Sequence, residues 1–190
     1  MIMGKIEFKP GNMLFPLPVV LVSSCRPNEK PNLITLAWAG TINSDPPMVS
    51  ISVRPDRYSH DIIKETGEFV INLVDKNLTY ATDWCGVRSG RDYDKFKEMN
   101  LTPEKSIIVN APGVKESPLN IECKVVDSRF LGSHTMFSAE IVKVRASEKY
   151  MDQNGKLMLN KANLTSYCHG EYRSLGESIG RFGYSVKKEK

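Results

Sequence analysis

The stretch at residues 48–53 alternates apolar with small polar side chains, and this pattern constrains the fold more than any other feature. In an extended strand, Val49, Ile51 and Val53 would share one face and the intervening serines the other. Such a strand has one face on a core, as is common in antiparallel sheets. Further short apolar runs bounded by turn-forming residues are also predicted strands: residues 19–24, 33–39, 68–74, 121–130 and 135–144.

Signals for helices are fewer than signals for strands. Ser59 is predicted to cap a short helix that carries a pair of isoleucines and ends at Gly67. Two further helices are predicted at residues 78–84 and 92–99. Many short strands with a few peripheral helices favour a mainly β barrel or sandwich over alternating βαβ units.

Composition places the chain among ordinary globular proteins. It has 190 residues, 41% hydrophobic and 25% charged, which argues against a disordered, collagen-like or coiled-coil chain. The length suits a single domain, spanning residues 1–190. Lys and Arg number 26 against 22 Asp and Glu, a net charge of +4, and the basic cluster is terminal: Lys187, Lys188 and Lys190. Because no basic stripe or patch is visible, nucleic acid is not an expected partner.

The cysteines and histidines offer no metal site. The four cysteines are Cys25, Cys85, Cys123 and Cys168. They form no C-x-x-C pair, and the chain has only three histidines, so no closely spaced ligand set is present and no metal is predicted. Reduced, well-separated thiols are typical of a cytoplasmic protein.

One apolar run argues for export. Residues 13–22 precede Ser-Ser-Cys and resemble the cleavage site of an exported lipoprotein. Pro16 and Pro18 interrupt the run, which is also too short to span a bilayer. We therefore expect a buried strand over residues 19–24, a cytoplasmic location and no membrane partner.

Residues 52–60 end a predicted strand, open a predicted helix and concentrate groups that suit an anion. Arg54, Arg57 and Ser59 stand in this segment, Ser-Val-Arg-Pro-Asp-Arg-Tyr-Ser-His. Helix N-termini favour negative charge, and a guanidinium can bind phosphate through two hydrogen bonds. The residues alone leave open the alternative of a capped helix with solvated arginines.

Three other segments contain candidate binding or catalytic residues, but each also has an ordinary structural explanation. Ala37 and Trp38 put a small residue beside an aromatic one at a strand end, where a planar ligand could stack, although a core tryptophan is commoner. The charged residues 89–96 are explained equally well by ion pairs on a helix surface. His134 lies between two predicted strands, and no Ser-His-Asp or Cys-His arrangement is evident.

The glycines near the C-terminus do not form a nucleotide-binding motif. Gly176, Gly180 and Gly183 give G-x-x-x-G-x-x-G, whereas the dinucleotide fingerprint is G-x-G-x-x-G between a strand and a helix. The chain also lacks a P-loop. A Rossmann domain is therefore not expected.

Taken together, the segments resemble the flavin reductase-like family, and most closely its flavoredoxin branch. The resemblance runs over residues 16–185, nearly the whole chain. The pieces that carry it are residues 18–22, 32–38, 45–47, 52–59, 67–72, 89–96 and 169–183. It implies a mainly β fold, an FMN-binding split β-barrel (Greek key) of six strands with peripheral helices, working as a homodimer with FMN at the edge of the subunit interface.

The resemblance also implies roles for individual residues. The FMN phosphate would be held by Ser52, Arg54, Arg57 and Ser59. The flavin ring would be lined by Asn32, Thr35, Leu36, Ala37 and Trp38. The residues expected to approach the flavin from later parts of the chain are Lys95, His134 and Tyr167.

The leading functional hypothesis is an FMN-binding oxidoreductase that passes electrons from a reduced nicotinamide (NADH or NADPH) or a protein donor to an acceptor. Two alternatives stay open: a non-enzymatic FMN-binding electron-transfer module, and a reductase that uses flavin as a diffusing substrate. No dedicated nicotinamide motif is visible, so the sequence decides neither the donor nor the acceptor.

Overall fold

The computed structural model describes residues 4–186 and is mainly β, with short peripheral helices; the basic cluster at residues 187–190 lies outside the described part. The strands are β1 (Leu17–Pro18), β2 (Val20–Ser24), β3 (Asn32–Leu36), β4 (Ala39–Ser44), β5 (Pro47–Val53), β6 (Glu68–Leu73), β7 (Pro103–Glu104), β8 (Gly113–Val114), β9 (Leu119–Phe130), β10 (Thr135–Ala146), β11 (Thr165–Cys168) and β12 (Glu171–Ser174). The α-helices are α1 (Tyr58–Thr66), α2 (Thr79–Val87) and α3 (Lys95–Glu98), and short 3-10 helices cover Lys76–Leu78, Glu148–Tyr150, Leu159–Lys161 and Tyr184–Val186.

The two edges of the largest sheet are joined by a very short connection. Its seven antiparallel strands have the order β3-β2-β6-β9-β10-β5-β4. Only Ala37 and Trp38 join the edge strands β3 and β4. A flat sheet of this width would measure about 29 Å between its edges, whereas the three steps from Leu36 to Ala39 span at most about 11 Å. The sheet therefore curls into a split barrel whose edges meet at Trp38, and the Trp38 carbonyl accepts a hydrogen bond from Ser52 N at 2.9 Å.

The strand predicted at residues 33–39 is interrupted at Ala37 and Trp38, and the sheet has seven strands where the resemblance implied six.

The alternation in β5 is confirmed, because Val49, Ile51 and Val53 are buried inside the curled sheet. The interior is an apolar cluster contributed by all seven strands and α1: Val20, Val22, Ile34, Leu36, Val49, Ile51, Val53, Ile63, Phe69, Ile71, Cys123, Phe137 and Ala139, with Ala39 packed against it.

A second apolar layer covers the outer faces of β2 and β3. Leu21 and Leu33 point out of the barrel and pack against residues of α2 and α3, including Cys85 and Phe96. All of β2 is buried, as predicted for residues 19–24. This layer fixes α2 and the loop after it against β3, which is the strand that leads into Trp38.

Two predicted helices differ from the structure at their ends, and the one predicted at residues 78–84 is α2, which extends to Val87. The helix predicted from residue 92 begins only at Lys95, because the Asp94 side chain accepts a hydrogen bond from Lys97 N at 3.2 Å and caps it. α1 ends at Gly67 as predicted, with a φ of 66° that an L side chain rarely adopts.

Two smaller sheets and a long hairpin complete the described structure. β1 pairs with β11, which pairs with β12. β9 and β10 form the predicted hairpin, with residues 131–134 at its tip. Among residues 4–186, the helices include none long and apolar enough to cross a membrane.

Candidate functional site

Two adjoining clefts lie where the edges of the barrel meet. The larger is about 390 Å³ and the smaller, at the N-terminus of α1, about 240 Å³. Their shared lining residues are Ile34, Arg57 and Gly86. Every residue selected from the sequence for cofactor binding lines one of them. Thr35, Leu36, Ala37, Trp38, Ser52, Arg54, His134 and Tyr167 line the larger cleft, Asn32, Ser59 and Lys95 line the smaller, and Arg57 lines both.

The smaller cleft is rich in positive charge. Its lining includes one carboxylate, Asp56, and the cations Arg57, Arg88, Arg91 and Lys95. Asp56 Oδ1 lies 3.5 Å from Arg54 Nε and 4.0 Å from Arg57 Nε. The two arginines of the 52–60 segment are half-exposed and share one carboxylate, which leaves an excess of positive charge at the helix N-terminus.

Ser59 does not cap α1, contrary to the sequence prediction. The chain turns into the helix two residues earlier, since Arg57 N bonds to Arg54 O at 3.0 Å, and Arg57 occupies the N-cap position without a side-chain capping bond. Ser59 is instead the second helical residue, and its Oγ accepts a hydrogen bond from Asn32 Nδ2 at 2.7 Å. This leaves the positive end of the helix without a capping side chain at the cleft, and such an end favours an anion.

Lys95 is a buried cation between three elements. Its Nζ donates to Leu33 O at 2.7 Å and to Cys85 O at 2.6 Å. Burial, to which the charge of Arg57 adds, lowers the pKa of the Lys95 ammonium to about 8. An ammonium has three donors, so one N–H remains for a ligand in the smaller cleft.

The larger cleft is lined by aromatic rings. Trp38 and His134 stack with ring centroids 6.1 Å apart and planes 15° apart, which joins the edge of the barrel to the tip of the β9–β10 hairpin. Trp38 is 44% exposed, so it is not a core tryptophan. A second pair, Tyr167 and Tyr172, packs edge-on at 6.0 Å. A planar ligand would find apolar faces at both places.

Tyr172 is held as a hydrogen-bond donor. Its hydroxyl donates to Asp83 Oδ1 at 3.0 Å, which ties β12 to α2. Burial, reinforced by this bond and the charge of Asp83, raises the pKa of Tyr172 to about 12. The phenol is therefore neutral near pH 7.

The lining residues that the sequence interpretation did not select include Gly86, Arg88, Arg91 and Tyr172. Arg91 belongs to the charged segment at residues 89–96. No local sequence pattern distinguishes a cation that lines a cleft from one that forms an ion pair on a helix surface. Tyr172 reaches the cleft only because β12 pairs with β11, and β11 with β1. That pairing joins segments about 150 residues apart, so no short-range sequence pattern predicts it.

The cysteines lie apart from one another in the structure. Each is unpaired, and no group of three or more His, Cys, Asp or Glu within residues 4–186 is arranged to hold a metal ion. Burial raises the pKa of Cys85 to about 11 and that of Cys123 to about 12, so these two thiols are protonated near neutral pH.

A curled, split barrel with a cation-rich cleft beside an aromatic one places the chain among the split-barrel flavin proteins. Comparison with known proteins narrows this class. The family model described as the flavin reductase like domain matches residues 12–176. An uncharacterised protein of Archaeoglobus fulgidus is 34% identical over 139 residues, covering 73% of this chain and 77% of that protein. The chain belongs to the flavin reductase-like family.

Two other relatives show the range of this family. The structure of flavoredoxin of Desulfovibrio vulgaris (Miyazaki F) superposes with a TM-score of 0.89 at 30% identity, covering 97% of this chain and all of that one. The reductase component of a 4-nitrophenol 4-monooxygenase/4-nitrocatechol 2-monooxygenase from Rhodococcus opacus is 24% identical over 149 residues, covering 76% of this chain and 74% of that protein. The fold and the resemblance to flavoredoxins expected from the sequence are confirmed.

Proposed function

We propose that this protein is an FMN-dependent oxidoreductase that binds the FMN phosphate in the smaller cleft and the flavin ring in the larger. The observation that carries the proposal is the junction of the two clefts at Arg57, with cations and an uncapped helix N-terminus on one side and exposed aromatic rings on the other. A phosphomonoester carries about −1.5 to −2 charges near neutral pH, which the excess of cations in the smaller cleft can balance.

The residues of the chain divide the work of binding. Arg57 and Lys95 direct N–H groups at the phosphate, and Asn32 holds Ser59 against β3 beside it. Trp38, His134 and Tyr167 lie against the ring and exclude water from its faces. The sequence analysis expected both Lys95 and His134 to approach the flavin. Lys95 lies in the smaller cleft, so its proposed partner is the phosphate. His134 lies in the larger cleft, where it can face the ring. Bound flavin supplies the electron and hydride transfer, and the chain supplies orientation and charge.

The purified protein is expected to be yellow and to release FMN, with no FAD, when it is denatured. The cation-rich cleft accommodates one phosphate, and no Rossmann-type pyrophosphate loop is present in the sequence. The measurement is the visible spectrum, followed by chromatography of the released flavin. A colourless protein that takes up no added FMN would contradict the proposal.

FMN affinity is expected to fall as the pH rises through about 8, by up to about tenfold per pH unit. The physical reason is linkage, because the phosphate stabilises the charged form of Lys95. In the flavin-free protein the pKa of Lys95 is about 8. Above that pH, FMN binding must be accompanied by the uptake of a proton. FMN titrations from about pH 7 to about pH 9.5 test this, because the phosphate is already ionised throughout.

The matched pair of variants for this titration lies on one helix. Lys95→Met should bind FMN less tightly and without the pH dependence. Lys97→Met changes an exposed lysine on α3 and should keep it. An affinity in the unaltered protein that does not change across this range would contradict the role of Lys95.

A reductase that uses flavin as a diffusing substrate is the second candidate. Both clefts open to solvent, and one relative is the reductase component of a monooxygenase. Addition of NADH or NADPH without oxygen separates the candidates. Bleaching of protein-bound flavin indicates a resident cofactor, turnover that needs added free flavin indicates a substrate, and no reduction by either nicotinamide indicates a module served by a protein donor.

The protein is expected to be a homodimer. β4 is an edge strand with five of its six residues exposed. Apolar side chains remain uncovered on β4 and the hairpin tip, where Ile42 is 48%, Phe130 63% and Leu131 55% exposed. A second copy would cover them beside the larger cleft. Mass measurement in dilute solution should give about twice the 21.4 kDa of the chain; a species of single-chain mass alone would contradict this.

We place the protein in the cytoplasm. Its four cysteines are unpaired in the structure, as is typical of a reducing compartment. Fractionation of cells that produce the full chain tests the placement, and recovery with an extracytoplasmic fraction would contradict it.

A further inference from the structure

A short hairpin, residues 165–174, contributes part of the wall of the larger cleft. Its strands β11 and β12 pair antiparallel, and His169 and Gly170 join them with φ of 49° and 90°. Two consecutive residues in the left-handed region are typical of a tight hairpin turn. Tyr167 on β11 and Tyr172 on β12 are paired across the hairpin, and both line the larger cleft. The hairpin therefore borders the space in which we place the flavin ring.

The hairpin is fixed to the rest of the molecule at its base. Thr165 N donates to Val74 O at 2.9 Å, and the hydroxyl oxygens of Thr165 and Thr79 lie 3.1 Å apart. β1 adds only two paired residues, Leu17 and Pro18, along β11. β12 is the outer strand of this three-stranded sheet. The position of β12 and of the turn therefore depends on side-chain contacts.

One side-chain hydrogen bond ties β12 to α2. Tyr172 Oη donates to Asp83 Oδ1 at 3.0 Å. In the part of the chain that the structure describes, no other hydrogen bond of β12 reaches an element outside its own sheet. The Tyr172 ring packs edge-on against Tyr167 at 6.0 Å, so a bond that fixes Tyr172 also supports its neighbour.

Asp83 lies on the side of α2 that is turned towards the clefts. Gly86 follows it by three residues, which places both on one face of the helix, and Gly86 lines both clefts. Asp83 itself lines neither cleft, so its effect on a ligand there must pass through Tyr172. Because burial and this bond raise the pKa of Tyr172 to about 12, the phenol remains a hydrogen-bond donor near neutral pH.

We propose that Asp83 is a positioning residue for the flavin site: it holds Tyr172 in place, which keeps the hairpin against the bound flavin ring and slows the release of FMN. The inference rests on the proposed placement of the ring in the larger cleft. A wall that is already held in its bound position loses little freedom when the ligand arrives, and differences of this kind act mainly on the rate of release. The tie therefore favours a resident cofactor over a flavin that leaves after each turnover.

The test is the rate at which FMN leaves the loaded full chain, measured by the recovery of flavin fluorescence after dilution. Tyr172→Phe keeps the ring but removes the donor, and it should release FMN roughly two- to tenfold faster, the effect of losing one hydrogen bond. Asp83→Ala should act alike, and the double variant should release FMN no faster than either single variant. Asp83→Asn keeps an acceptor oxygen and should release FMN more slowly than Asp83→Ala. The rate of FMN association should change little in any of them.

Tyr80→Phe is the matched control for the loss of a phenol hydroxyl. Tyr80 also lies on α2, is 77% exposed and lines neither flavin cleft, so this variant should release FMN at the unaltered rate. A bond between Tyr172 and Asp83 that served stability alone would lower the Tm of Tyr172→Phe without changing the rate of release.

The inference is overturned if Tyr172→Phe releases FMN no faster than Tyr80→Phe does. It is also overturned if the effects of the two single variants multiply in the double variant, or if association slows while release stays the same. Should Asp83→Ala not fold, the comparison of Tyr172→Phe with Tyr80→Phe decides alone. An unaltered protein that binds no FMN contradicts the proposed function itself, whereas FMN binding with unchanged release contradicts this inference only.

Discussion

Replacing Arg57 with alanine is expected to weaken FMN binding by about ten- to a hundredfold. Arg57 is the one cation that lines both clefts, and its side chain is 50% exposed, so it is free to turn towards a phosphate. A hydrogen bond to a charged group contributes roughly 1.5–3 kcal/mol, which corresponds to about that loss of affinity. Arg54→Ala should act in the same direction. Fluorescence titration of the flavin-free protein measures both.

Asp56 provides a test of opposite sign. Its carboxylate lies within 4.0 Å of both arginines and competes with a phosphate for them. Asp56→Asn should therefore strengthen FMN binding, whereas general damage to the segment would weaken it. Arg173→Ala serves as the matched arginine control, because Arg173 pairs with Glu171 on β12 and lines neither cleft. Unchanged affinity in both Arg54→Ala and Arg57→Ala would contradict the assignment.

The sequence predicts the strands of the barrel well because their signals are local. The alternation in β5, the buried run of β2 and the β9–β10 hairpin each follow from neighbouring residues. The break after β3 does not, since Ala37 and Trp38 leave the strand only because the sheet curls and its edges must meet there. Local propensity carries no information on that closure.

The candidate site shows the same division between local and distant information. The segment with Arg54 and Arg57 is recognisable because one short stretch ends a strand and begins a helix. The position of Ser59 inside the helix depends on Asn32, 27 residues away, which binds its hydroxyl. The bond between Tyr172 and Asp83 joins residues 89 positions apart. Such contacts are set by tertiary packing, and they decide which polar groups face the cleft.

Replacing Glu122 with alanine is expected to lower the free energy of unfolding by about 3–5 kcal/mol, the typical cost of breaking a buried ion pair. Glu122 is fully buried, and its carboxylate accepts hydrogen bonds from the backbone N–H groups of Ile107 at 2.9 Å, Ile108 at 2.7 Å and Val109 at 3.4 Å. Arg145 Nε lies 3.3 Å from it. Alanine would leave the three backbone donors without an acceptor, and Arg145 would keep only the partly exposed Glu104, to which its Nη1 donates at 2.9 Å.

The neighbouring carboxylate of Glu68 accepts from the next two backbone N–H groups, Asn110 at 2.6 Å and Ala111 at 3.3 Å, so the loop depends on two buried acids. The midpoint of thermal unfolding, Tm, should be roughly 6–20 °C lower in Glu122→Ala than in the unaltered protein, given about 2–4 °C per kcal/mol for a chain of this size. Glu140→Ala removes an exposed glutamate on β10 and is the matched control, with little expected change. Because residues 107–111 line neither cleft, FMN affinity of the folded variant should be unaltered. A loss of stability no larger than that of Glu140→Ala would show that the loop is held by its apolar contacts instead, with Val109 and Ala111 packed on Val70.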